Sequence, residues 1–110
     1  MKILGIGNAI VDVLCRVDDS FLTKNSLTKG TMKLINEIEF KTLISSLKIE
    51  DTVSGGSIAN SIVGLSQLGD DVGFIGKVSD DNLGQKYEDG LKKEKVNYLY
   101  KKSKETIPTG

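Results

Sequence analysis

Two glycine-centred loops hold the residues best suited to chemistry. Gly55 and Gly56 stand immediately before an apolar-periodic stretch, and Asn60 follows in its first turn. A glycine pair there permits positive φ and lets a ligand approach the backbone, while the helix start offers unpaired N–H groups and a positive dipole end. Asn60 adds amide donors and an acceptor on the same side. Such a set suits polyhydroxylated ligands, because each hydroxyl can both donate and accept. The alternative is a helix entry that needs only a tight turn.

The second loop is Gly5-Ile6-Gly7-Asn8-Ala9-Ile10-Val11-Asp12. Asn8 and Asp12 are polar groups in an otherwise apolar run, and a carboxylate in that setting needs paired donors. Asp12 is either an exposed turn residue or an acceptor for ligand hydroxyls. The dinucleotide fingerprint G-x-G-x-x-G fails here, since Ile10 occupies the third glycine position and no helical pattern opens, which argues against a nicotinamide-dependent oxidoreductase. A third glycine-bounded run, Gly76 to Gly84, contains Asp80 and Asp81. Asp81 or Asn82 is placed to cap the following helix, and Gly84 suggests close packing; no catalytic role is assigned to this acidic pair.

The elements that must position these loops follow from periodicity. Residues 2–7 and 9–17 read as a strand with an interruption, 21–25 as a helical turn and 30–35 as a strand with Met32 and Leu34 on one face. Residues 37–47 and 58–68 show helical apolar spacing, and Gly69 stands where a left-handed residue ends the second of these. A buried strand over 72–75, a helix over 82–93 and a strand over 96–100 complete the order. Strand–helix–strand–helix–strand predicts an α/β unit with parallel strands and right-handed crossovers.

Composition narrows the chemistry. The 110 residues carry 15 Lys and Arg against 15 Asp and Glu, so no bulk positive field draws the chain to nucleic acid or a membrane surface. The lysines at 92, 93, 95, 101, 102 and 104 are interleaved with Glu94 and Glu105 and read as solvated surface. The absence of His removes the commonest metal ligand and general base, so zinc sites, Ser-His-Asp triads and Cys-His pairs are not expected. The single Cys15 reads as a small buried hydrophobe. No apolar run is long enough to span a bilayer, and Asn8 and Asp12 interrupt any secretory-type stretch, which leads to the expectation of a cytoplasmic protein.

The order and spacing of the clusters are more specific than any one of them. Gly7-Asn8-Ala9-Ile10-Val11-Asp12-Val13, then Lys29-Gly30-Thr31-Met32, then Gly55-Gly56-Ser57-Ile58-Ala59-Asn60, then Leu68-Gly69, then Phe74-Ile75-Gly76-Lys77-Val78 with Asp81 and Gly84, resembles the PfkB (ribokinase-like) carbohydrate and nucleoside kinases. The opening Gly-Asn-x-x-x-Asp and the Gly-Gly-Ser loop look closest to the adenosine-kinase-like branch. Ser79 stands where many members have glycine.

The resemblance covers essentially the whole chain and implies the N-terminal portion of a ribokinase-like three-layer α/β sandwich. A small β lid would be inserted after the first strand, with segments at about 14–35 and 50–54. Lid strands would fall at 31–35 and 51–53, and Met32 or Leu34 would line the closed pocket. Asn8 and Asp12 fall where the family binds the substrate's sugar hydroxyls, and Gly55, Gly56 and Asn60 fall on its substrate-binding loop and helix. The implied reaction is ATP-dependent phosphorylation of a hydroxyl on a sugar or nucleoside. The family's catalytic aspartate, anion hole and sites for ATP and Mg²⁺ lie in a later signature that these residues do not match. The expectation is therefore an N-terminal kinase part, inactive alone, with no catalytic or metal-binding residue of its own. A non-catalytic ligand-binding or dimerising remnant is the alternative, and a homodimer through the lid is left open.

Overall fold

The computed structural model describes residues 2–102, 104 and 107–110. These form two compact units, one built from Met1–Asp12 with Thr52–Gly110 and the other from Val13–Asp51.

In the first unit, β1 (Lys2–Ile6), β4 (Asp71–Ile75) and β5 (Asn97–Tyr98) make a parallel sheet in the order β1-β4-β5. Lys2 pairs with Asp71 and Ile6 with Ile75, and Gly73 pairs with Asn97. Helices α3 (Ser57–Gln67) and α4 (Asn82–Lys93) supply the crossovers, as the alternation of periodicities predicts. Both cover one sheet face. A Cβ at Gly5 would lie 2.5 Å from Ile62 of α3, and the Phe74 ring on the same face meets Tyr87 of α4 at 6.2 Å. Ala59, Ile62, Val72, Phe74, Tyr87 and Leu91 are buried between the layers. Burying Phe74 and Leu91 contributes about 1.5–3 kcal/mol each. The opposite face carries Leu4 and Leu99, which flank Gly73 and are 52% and 59% exposed. This unit therefore forms a parallel sheet with one helical layer, in line with the α/β order predicted from the sequence.

Helix ends explain where the chain turns. Gly69 has φ +96°, and the Gly69 and Asp70 amides donate to the Ser66 and Leu65 carbonyls, the bond pair of a Schellman stop. Helix α4 ends the same way, with Lys95 at φ +59° and Val96 N–H donating to Leu91. That turn absorbs Val96, so the strand expected over 96–100 shrinks to Asn97–Tyr98. The Lys92, Lys93, Lys95, Lys101 and Lys104 side chains are exposed, whereas Lys102 is half-buried and pairs with Glu88 at 3.4 Å; Glu105 lies outside the described residues.

Strands β2 (Ile10–Cys15) and β3 (Ile49–Gly55) pair as a separate two-stranded ribbon, through which the division between the units runs. The run expected as one interrupted strand thus belongs to two sheets. Gly7 N–H makes a last bond to the Ile75 carbonyl, and the chain then leaves the parallel sheet.

The second unit also contains α1 (Asp19–Lys24) and α2 (Glu37–Ser45). Asp18 caps α1 through Phe21 N–H, and Asn36 and Glu39 form a reciprocal capping box on α2. Neither helix has a fully buried residue. The strand expected over 30–35 does not form. Met32 and Leu34 are each 86% exposed, so no buried face holds that stretch extended against a partner. Cys15 is half-buried rather than buried.

The Tyr87 hydroxyl is buried and has no hydrogen-bond partner among the described residues. Removing an unsatisfied buried group relieves its desolvation cost. Tyr87→Phe is expected to leave unfolding free energy unchanged or raise it by about 1 kcal/mol in urea titrations; a loss above about 1 kcal/mol would contradict this account. Burial, then the Glu88 charge, pushes the Tyr98 hydroxyl up to about 12. Its neutral form is favoured in the folded state, so its contribution is complete below the ordinary tyrosine value and is lost as pH rises toward the folded one. Stability should fall between pH about 10 and about 12, and Tyr98→Phe should flatten that decline.

Candidate functional site

The β1–β2 loop and the β3–α3 junction meet within the first unit. Asn8 follows β1, Asp12 lies in β2, Gly55 ends β3 and Gly56 is the N-cap of α3. A Cβ added at Gly55 would stand 2.4 Å from Asp12 Oδ2, and one at Gly56 would stand 2.6 Å from the Asn8 carbonyl oxygen. The sequence-derived pair Asn8 and Asp12 is therefore brought against the pair Gly55 and Gly56. Asn60 lies in the first turn of α3, its N–H bonded to the Gly56 carbonyl at 2.8 Å.

Gly56 has φ +102°, a conformation that side chains rarely adopt. It offers no side-chain cap to α3, so the first N–H groups of that helix are left for another acceptor. The side chains of Asn8, Asp12 and Asn60 are exposed, and among the described residues none is engaged in a hydrogen bond or ion pair. A carboxylate, a carboxamide and a helix N–H group are each able to take up a hydroxyl. Met32 and Leu34 belong to the other unit, Val13–Asp51.

Gly5 and Gly7 have a packing role. Cβ atoms at Gly5 and Gly7 would lie within 3 Å of Ile62 and Ile58, so glycine there lets α3 settle on β1. No dinucleotide turn is involved.

The run from Gly76 to Gly84 is structural, as its sequence suggests, but it does more than cap a helix. Asp81 Oδ1 accepts from Gly84 N–H at 2.7 Å and from the Thr109 hydroxyl at 2.7 Å, and Oδ2 accepts from Thr109 N–H at 2.8 Å. Burial alone would raise the Asp81 carboxyl, but these bonds outweigh it and hold it below the usual aspartate value. Ser79 N–H donates to Thr109 Oγ1 at 3.0 Å, and the Ser79 hydroxyl donates to the Ile107 carbonyl. Nothing in the local spacing marks Thr109 as the partner, because the pairing joins residues far apart in sequence.

Among the described residues no group of three or more His, Cys, Asp or Glu could hold a metal ion, and no helix is long and apolar enough to cross a membrane.

A parallel α/β unit with a glycine-paired helix start facing a strand-borne carboxylate defines the class, and comparison with known proteins identifies the family. The pattern of the pfkB family carbohydrate kinases matches residues 37–110, and the chain belongs to that family. It is similar to the 5-dehydro-2-deoxygluconokinases of Clostridium perfringens, 56% identical over 43 residues, and of Lacticaseibacillus casei, 46% identical over 50. These matches take in 39% and 46% of this chain but 13% and 15% of those enzymes. Among solved structures it superposes on an adenosine kinase from Sinorhizobium meliloti with TM-score 0.79 and 39% identity. A probable sugar kinase from Rhizobium etli gives 0.79 and 34%. Both superpositions cover 98% of this chain and 33% of the other. The chain thus spans about a third of the length of the kinases whose fold it shares.

Gly56→Ala places a Cβ against the Asn8 carbonyl in a left-handed backbone. It is expected to cost about 1–3 kcal/mol in denaturant unfolding; wild-type stability would show that this turn is not held as described.

Proposed function

We propose that this chain is the substrate-recognition part of an ATP-dependent kinase that phosphorylates a hydroxyl of a sugar or nucleoside. The observation that carries the reading is the Asp12 carboxylate, set against Gly55 and without an internal partner among the described residues. An anionic acceptor in that state gains most from a ligand hydroxyl. Asn8 and Asn60 take further hydroxyls, and the uncapped start of α3 presents N–H groups to the same ligand.

The family implies ATP as donor, with Mg²⁺. The described residues include no acidic cluster fit for the metal, so none is assigned to it, nor is any assigned as general base. What this chain supplies is orientation, which holds one hydroxyl toward the donor and converts binding energy into a productive geometry. The unit Val13–Asp51 is the candidate lid, its Met32 and Leu34 left unburied within that unit and so able to cover a ligand or pair with a second copy. Closure of such an element would keep water from the transferring phosphoryl group. A cytoplasmic location accords with dependence on ATP.

Adenosine, ribose, fructose and 5-dehydro-2-deoxygluconate form the panel for testing the full-length protein with ATP. Phosphorylation of at least one is expected, and Asp12→Ala should lower kcat/KM for it by about 10–100-fold, or roughly 1.5–3 kcal/mol. Wild-type kinetics in that variant would remove Asp12 from the site. Binding without phosphoryl transfer would favour a non-catalytic ligand-binding protein.

A further inference from the structure

The Asp81 carboxylate is placed for more than capping α4. A cap requires one acceptor on the first helix turn. Asp81 meets that need through Gly84 N–H, yet two of its three bonds go to Thr109, 28 residues along the chain. Thr109 is only 7% exposed, and its hydroxyl is used in both directions, donating to Asp81 and accepting from Ser79 N–H. Position 84 has no room for a side chain, since a Cβ would lie 2.0 Å from the Ser79 carbonyl, and Thr109 Oγ1 is 3.1 Å from the same point.

The next residue carries the constraint to the candidate site. Gly110 presents its carbonyl to Val11 N–H at 2.8 Å, and the Gly110 Cβ position lies 3.9 Å from the Ala9 carbonyl. Ala9 and Val11 are buried. Val11 immediately precedes Asp12, whose carboxylate faces Gly55.

We infer that Asp81 is a positioning residue, holding Thr109 and Gly110 so that the Gly110 carbonyl fixes the Val11 amide and, through it, the direction of Asp12. Its functional consequence rests on the kinase reading; the structural relay does not. The relay runs entirely inside the first unit: Asp81 to Thr109, Thr109 to Gly110 along the backbone, Gly110 to Val11, and Val11 to Asp12.

Asp81→Asn separates the two roles of this side chain. Asparagine is as good an N-cap as aspartate, so the Gly84 bond can persist. Its Nδ2 would face Thr109 N–H, donor against donor, and the clamp would open. Hydrogen–deuterium exchange by mass spectrometry on the full-length protein reads the outcome at residues 9–13 and, as a reference, at residues 71–75 of β4. Asp81→Asn and Thr109→Val should each speed exchange at 9–13 by about 10-fold and change β4 by less than about 2-fold. Thr109→Ser, which keeps the hydroxyl, should match the wild type. With the panel compound that the wild type phosphorylates as probe, Asp81→Asn should raise KM by about 3–10-fold with kcat within about 2-fold, since the lost positioning acts on binding. Equal acceleration of both segments, or none at 9–13, would overturn the relay and leave Asp81 a helix cap. If the wild type phosphorylates nothing in the panel, the kinase reading falls, and the exchange result alone decides the positioning role.

Discussion

The close approach of the β1–β2 loop to the start of α3 governs the rest of the structure. At Gly56 the backbone passes so near the Asn8 carbonyl that no side chain fits, and its positive φ swings the chain from the ribbon strand β3 into the helix. Because α3 begins there, its Ile58 and Ile62 come down on Gly7 and Gly5, which fixes the helix against β1. Helix α3 then returns the chain to the sheet, where Gly69 ends the helix and β4 pairs with β1. That close approach seats α3 on β1 and brings the candidate residues Asn8 and Asp12 beside Gly55 and Gly56.

The two units answer to different balances of burial. The first has a compact core around Phe74, Tyr87 and Leu91 and several long-range side-chain anchors, such as Ser54 to the Tyr87 carbonyl and Ser66 to the Glu94 carbonyl. The second has capped helices but no fully buried helical residue. Local opening costs least where few apolar contacts must be broken, so motion is expected to concentrate in Val13–Asp51.

Much of this was legible in the residues because it rests on short-range chemistry. The helix over 82–93 was visible from Leu83, Tyr87 and Leu91 and from Asp81 before it, and the stop at Gly69 from a glycine after the last apolar position. Asn8, Asp12, Gly55, Gly56 and Asn60 could be singled out because polar or glycine residues interrupt apolar runs at element ends. Where the sequence misled, tertiary context decided. Residues 30–35 alternate like a strand, but Met32 and Leu34 find no buried face in their unit. The runs on either side of Gly7 read as one strand, whereas sheet pairing assigns them to two. Thr109 carried no signal, since its role exists only once Asp81 is folded beside it.

The proposed role of Asn8, Asp12, Gly55, Gly56 and Asn60 is to bind a hydroxyl-bearing substrate. Its most direct test is an NMR titration of the full-length protein with the four-compound panel, following the backbone amides of these five residues. Saturable shifts centred on all five are expected for at least one compound. Shifts centred elsewhere, or none with any of the four, would contradict it.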